Sequence, residues 1–185
     1  MKNKLQKFYA ITDRKKYSSF EDTVKKLLDK GIRMFQIREK DLPTGELYRF
    51  TEKFLKLTEG YNVHIFINDR VDIALMFSLD GVHLPENSFD VEVVKSNFPQ
   101  LIVGKSCHSL ECAKKAEENG ADYVIFSPIF KVEGKGKPQG IEKLKEVVNL
   151  LNIPVYALGG INKNNIEKVL KTGVYGIAGI RTFLD

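Results

Sequence analysis

Eight short apolar runs recur along the chain, and the stretches between them carry a helical period. The runs read "KFYAIT", "RMFQIRE", "VHIFIN", "DGVHLP", "LIVGKS", "DYVIFSPIF", "PVYALGG" and "YGIAGIRTFL". Each has the length of a strand and is rich in β-branched or aromatic residues. Between them, "SSFEDTVKKLLDKG" sets Phe20, Val24, Leu27 and Leu28 on one helical face and stops at Gly31. "GIEKLKEVVNLL" repeats the pattern with Ile141, Leu144, Val147, Val148 and Leu151. "NKNNIEKVLKTG" ends at Gly173, a helix-terminating glycine.

Strands that alternate with helices pair in parallel through crossovers. Eight of them predict an α/β fold, a compact (β/α)8 TIM barrel, with residues 1–185 as one domain. An open doubly wound sheet is the alternative, but no G-x-G-x-x-G follows the first strand. Almost nothing follows the eighth run, so the last outer helix is expected to be missing or reduced. That leaves apolar barrel wall near the termini, which a second copy can cover, and a homodimer is the expected assembly.

Composition narrows the function classes. No apolar run is long enough for a membrane span, and "MKNKLQKFYAIT" lacks the apolar core of a secretion signal, so the cytoplasm is expected. The net charge is +5, but the lysines are interspersed with acidic residues, as on a solvated helix face. No nucleic-acid footprint stands out, while the basic excess suits an anionic small ligand. Cys107 and Cys112 have neither zinc-ligand spacing nor a disulfide framework and are read as reduced thiols.

A barrel of this kind builds its site at the carboxyl ends of its strands. Strand two ends with Gln36, Arg38 and Lys40 alternating, which sends all three to one face. Three polar groups there are costly unless something polar meets them. Arg38 and Lys40 either bind a ligand or form ion pairs with Asp69 or Asp13. Strand three ends at Asn68 and Asp69; Asp69 is read equally as a helix cap. Strand five ends at Ser106 and His108, and strand six leads to Ser127. His83, on an apolar strand, reads as a hydrogen-bonded core residue, and His64, at the opposite end of its strand, as structural. Ser109 can cap the following helix, so His108 is left for moving a proton.

Strand seven ends in Gly159 and Gly160, and strand eight near Ile180 and Arg181. Loops after these strands commonly bind phosphate. Glycines let backbone N–H groups approach an anion, and "LGGINKNN" offers a following helix with Asn162 as its cap. Both glycines equally serve a tight turn. The loop from Phe130 to Gly140, with three Lys and three Gly, can close over a phosphorylated ligand.

Taken together, "QIREK", "INDRVDIALMFSLDGVHLPE", "ADYVIFSPIF", "ALGGI" and "YGIAGI" resemble the thiamin phosphate synthase and thiazole tautomerase (TenI-type) superfamily over nearly the whole chain. The resemblance implies a (β/α)8 barrel acting in thiamin biosynthesis. In the synthase branch, which joins a hydroxymethylpyrimidine pyrophosphate to a thiazole phosphate using Mg²⁺, Gln36, Arg38, Lys40 and Asn68 match the pyrimidine and pyrophosphate contacts. Asp69 matches a metal carboxylate, Lys135 a loop lysine on pyrophosphate, and Gly160, Ile180 and Arg181 the thiazole phosphate site. Two departures stand out. Ser88 occupies the place of the second metal carboxylate, and "VEGK" puts Val132 and Gly134 where the branch has hydroxyls. Both should weaken pyrophosphate activation. "LPENSF" and "GKSCHSLE" are similar to the tautomerase branch, which needs no metal and in which the matching histidine is catalytic. The expectation is therefore a tautomerase that aromatises a carboxylated thiazole phosphate through His108, with a divergent synthase second. A non-catalytic phosphate-ligand binding protein or regulator is third.

Overall fold

The computed structural model describes residues 5–184; the outermost residues of the expected 1–185 domain, 1–4 and 185, lie outside them. Eight parallel strands close into a barrel in sequence order. They are β1 (Phe8–Ile11), β2 (Met34–Ile37), β3 (His64–Asn68), β4 (Gly81–Leu84), β5 (Ile102–Cys107), β6 (Tyr123–Phe126), β7 (Val155–Ala157) and β8 (Gly176–Gly179). The helices are α1 (Phe20–Asp29), α2 (Thr44–Leu57), α3 (Val71–Met76), α4 (Val91–Asn97), α5 (Leu110–Glu118), α6 (Gly140–Leu150) and α7 (Ile166–Leu170). Closure through β1 and β8, with Ala10 opposite Gly179, rules out the open sheet.

Strand alternation divides the core in two. One cluster contains Tyr9, Ile11, Met34, Phe66, Ile102, Tyr123, Ile125, Tyr156 and Ala178 and fills the barrel. The other lies between strands and helices and includes Phe35, Ile37, Val82, Val103, Val124 and Leu144. Inside, Tyr9 meets Phe66, Tyr123 and Tyr156 edge to face at 5.7–5.9 Å between centroids. Rings this large need small neighbours. A Cβ on Gly104 would lie 2.1 Å from Tyr123 Cζ.

The helix signals hold where the sequence is explicit. Ser19 caps α1 by accepting from Asp22 N, α1 buries Val24, Leu27 and Leu28, and Gly31 closes it at φ +84°. Each such buried side chain contributes about 1.5–3 kcal/mol. Asn162 does not cap α7: its Oδ1 accepts from Asn164 N, while Asn165 takes the capping position and accepts from Asn162 N. After β8 the chain makes a turn rather than a helix. Lys26 of α1 and Lys30 just after it donate to the carbonyls of Leu184 and Phe183, and the Phe183 ring packs on Phe8. Among the described residues no helix is long and apolar enough to cross a membrane.

Candidate active site

The carboxyl ends of β1 and β2 are tied together by Arg38 N, which donates to Thr12 Oγ1 at 2.9 Å. On the outward side of this joint Glu39 is buried, and Arg14 meets it at 3.0 Å and grips Asp41 in a fork at 2.6 and 2.7 Å. Arg14 thus does the fastening that the sequence offered to Arg38 and Lys40. Those two form no ion pair within 4.0 Å among the described residues, and the ion-pair alternative fails for them. Burial, then Arg38 and Lys135, push the Lys40 ammonium below its usual value, opposed by Asp69. The charges that act on Lys40 are thus two cations and one carboxylate.

Gln36 lies inside the barrel, where its Nε2 donates to Tyr9 OH at 3.2 Å. Tyr9 OH pairs with Tyr123 OH at 3.0 Å, and Tyr123 OH with His83 Nδ1 at 3.2 Å. His83 Nε2 meets Ser106 Oγ at 2.8 Å. His83 is the core residue its strand implied. Burial, then the charges of Arg38 and Lys105, hold its pKa down at about 3. A neutral imidazole thus fixes Ser106 at the floor of the mouth.

Asn68 ends β3 opposite His83. The chain then turns sharply: Asp69 adopts φ +65°, and its N–H donates to His83 O at 3.0 Å. A non-glycine residue in the left-handed region is uncommon, with Asp among those that tolerate it, and such strain clusters at functional sites. Asp69 is not a cap, since α3 starts after Arg70. Ser88 Oγ donates to Asp69 Oδ1, so the hydroxyl that replaces a carboxylate holds the remaining one.

A cavity of about 410 Å³ is lined by Lys40, Asp69, Pro85, Glu86, Asn87, Ser88 and His108. His108 follows β5, with Ser109 capping α5 as expected. Its Nδ1–H donates to Ser127 O at 2.6 Å, which leaves Nε2 toward Glu86 Oε2 at 3.7 Å. Glu86, in the loop from Pro85 to Ser88, is the lining residue sequence reasoning missed. It follows β4 at the carboxyl end, and the rule that found the other residues applies equally to it.

Gly159 (φ +103°) and Gly160 (φ +68°) end β7 outside this cavity's lining. Added Cβ atoms would lie 2.7 Å from Pro128 Cβ and Phe130 Cβ, so the turn itself requires both glycines. The carbonyls of Gly159 and Gly160 accept from Phe130 N and Asn165 Nδ2. Among the described residues no hydrogen bond engages the N–H groups of Gly159, Gly160, Ile180 or Arg181. Tyr17 OH donates to Ile180 O, and Arg181 is exposed. The expected helix contribution is absent, because α7 has only five residues and begins at Ile166.

The family model described as thiamine monophosphate synthase matches residues 8–183. A putative thiamine-phosphate synthase 2 of Aquifex aeolicus is 53% identical over 98% of this chain and 99% of its own length. A thiamine-phosphate synthase of Pyrococcus furiosus is 43% identical over 97% of this chain and 87% of its own. The structure of a thiamine phosphate pyrophosphorylase from Pyrococcus furiosus superposes with a TM-score of 0.86 at 42% identity, covering 95% of this chain and 85% of that one. These similarities overturn the tautomerase expectation: the similar proteins are named as synthases. The physical reason lies in the mouth. The two loop departures, at Ser88 and at Val132 and Gly134, leave Lys40 under the charges of Arg38, Lys135 and Asp69. By matched residues and by overall similarity, the chain belongs to the thiamine monophosphate synthase family.

Proposed function

We propose that this protein is a thiamine-phosphate synthase, joining a hydroxymethylpyrimidine pyrophosphate to a thiazole phosphate in the cytoplasm. The observation that carries the reading is the unpaired cation cluster of Arg38, Lys40 and Lys135 beside Asp69. In the reaction the methylene–oxygen bond to pyrophosphate breaks and a bond from the methylene carbon to the thiazole nitrogen forms. Negative charge grows on the departing pyrophosphate. Preorganised cations that meet such charge act most strongly where water is excluded. Arg38 and Lys40 hold the pyrophosphate from β2, and Lys135 reaches it from the loop after β6. Gln36, Asn68 and Ser106 form the floor on which the pyrimidine lies. The free N–H groups at Gly159, Gly160, Ile180 and Arg181 receive the thiazole phosphate. Ser127 orients His108 toward the cavity.

The donor set suits Mg²⁺. Mg²⁺ usually takes one or two carboxylates together with substrate phosphates and waters. Asp69 supplies one, and its Oδ2 has no hydrogen-bond partner among the described residues. The bound ion would add charge neutralisation at the pyrophosphate oxygens. Ser88 keeps the Asp69 carboxylate oriented for it. Supplying both substrates with Mg²⁺ and measuring thiamin phosphate by its conversion to a fluorescent product tests the reading. Turnover is expected; its absence with both substrates saturating would overturn it.

A further inference from the structure

β5 carries the site on one face and a pair of thiols on the other. Ser106 points inward to His83, while Lys105 and Cys107 point outward under the surrounding layer. Lys105, nearly fully buried, donates from Nζ to Phe89 O at 3.0 Å and so pins the loop that carries Glu86 and Ser88. Cys107 is fully buried, and Cys112, in the first turn of α5, is half-buried. Each thiol shifts the ionisation of the other, and Glu86 acts on both, so the three groups are neighbours. Cys112 Sγ lies 3.8 Å from Ser106 O. The thiols thus neighbour Glu86, which lies 3.7 Å from His108, and Glu86 and His108 both line the cavity. The two cysteines bracket His108 in the sequence.

We propose that Cys107 and Cys112 are a redox-modification site: a small peroxide converts them to a reversible intrachain disulfide whose ring encloses His108 and displaces the cavity wall. The Cys112 thiol is the first to react because it is the accessible one. The Cys107 thiol beside it lowers its pKa, against burial and Glu86, and Cys112 together with burial raises that of Cys107. A thiolate at a helix N-terminus is the nucleophile in such chemistry. Cys112 sulfur attacks one peroxide oxygen; the S–O bond forms, the O–O bond breaks, and hydroxide leaves and is protonated to water. The Cys107 thiol then attacks the sulfenic sulfur. The S–S bond forms, the S–O bond breaks, and a second water leaves with the Cys107 proton. Two electrons pass from the thiols to the peroxide. Closing this short ring draws Cys112 from Glu86 and reshapes the turn at His108 and Ser109.

The test uses the whole chain treated with hydrogen peroxide, digested with trypsin and weighed. Cleavage after Lys105 and Lys114 releases residues 106–114 with both thiols in one peptide. That peptide is expected to be lighter by two hydrogens, closed to iodoacetamide, and restored by dithiothreitol. The imidazole NMR signals of His108, assigned with His108→Gln, should shift on oxidation and return on reduction. Cys112→Ser should abolish both changes, and Cys107→Ala should stop at a sulfenic acid that dimedone traps. The proposal is overturned if both thiols stay open to alkylation. It also falls if Cys112 goes on to sulfinic acid with Cys107 free, or if the ring closes and the His108 signals do not move. None of these readouts needs synthase turnover, so their failure is distinguishable from failure of the synthase reading. Where turnover is measured, oxidation should lower it about 10- to 100-fold, the effect of an ångström-scale displacement in a site.

Discussion

His83 makes the stability of the barrel depend on pH in a calculable way. In the folded chain burial and the nearby Arg38 and Lys105 charges hold its pKa at about 3, against an ordinary 6.5. The unfolded chain therefore binds a proton near pH 6.5 that the folded chain refuses until about pH 3. Stability from this group is complete above pH 6.5 and is lost as pH falls through the window between the two values. Each pH unit in that window costs about 1.4 kcal/mol, so lowering pH to about 4.5 costs about 2.7 kcal/mol. That is a large share of a typical domain stability. Carboxylates titrate nearby, so the perturbation is His83→Gln, which keeps a polar side chain but no titration. The chain has no tryptophan, so urea unfolding is followed by tyrosine fluorescence at about pH 7.5 and about pH 4.5. The variant is expected to be less stable at the higher pH, because it cannot bond both Tyr123 and Ser106 as the imidazole does. On acidification it should lose about 2–3 kcal/mol less than the natural chain. Parallel losses in the two proteins would refute the reasoning.

Lys40→Met should leave circular dichroism unchanged and lower kcat/KM about 100-fold, the scale of removing one preorganised charge from a departing anion; a change under about threefold would sink that role. Ser88→Asp sets a second carboxylate beside Asp69, and steady-state rates should show half-saturating Mg²⁺ falling about tenfold, with lower stability in the absence of the ion. Gly104→Ala forces a Cβ to within 2.1 Å of the buried Tyr123 ring, and urea unfolding should show a loss of about 3 kcal/mol or more.

Much of this architecture is legible in the chain, for a physical reason. Strands of a parallel barrel are covered on both sides, so they appear as short apolar runs that stand out from amphipathic helices. The weaker elements are less visible. In "NKNN" three asparagines compete for one capping position, and only the fold places Asn165 there rather than Asn162. Tyr9 and Tyr123 look like ordinary strand apolar residues, yet the register turns their hydroxyls toward each other and toward Gln36 and His83. The alternation of Gln36, Arg38 and Lys40 was readable because a period of two is local. Glu86 was not, because it lies in a loop past the end of β4, where no strand period fixes the direction of a side chain.

The charges themselves argue most strongly for an anionic ligand. At the end of β2 the chain shows two solutions to the same problem, a few residues apart. On the outward face Glu39 is neutralised by Arg14, which also grips Asp41, and every group is satisfied. At the other side Lys40 feels the charges of Arg38 and Lys135, opposed by Asp69, which is already bonded to Ser88. Like charges oppose folding, and the Arg38 and Lys135 charges add to burial, the larger cause, in lowering the Lys40 pKa. Asp13 follows β1 and Asp41 follows β2, yet Asp41 pairs with Arg14 and Lys15 instead. Stability alone would have paired the cations as it paired Arg14. An anion with several negative charges relieves the repulsion on entering, so its affinity includes the relief as well as its direct contacts. The arrangement therefore favours a pyrophosphate over a singly charged ligand, and rising salt should weaken the first far more than the second.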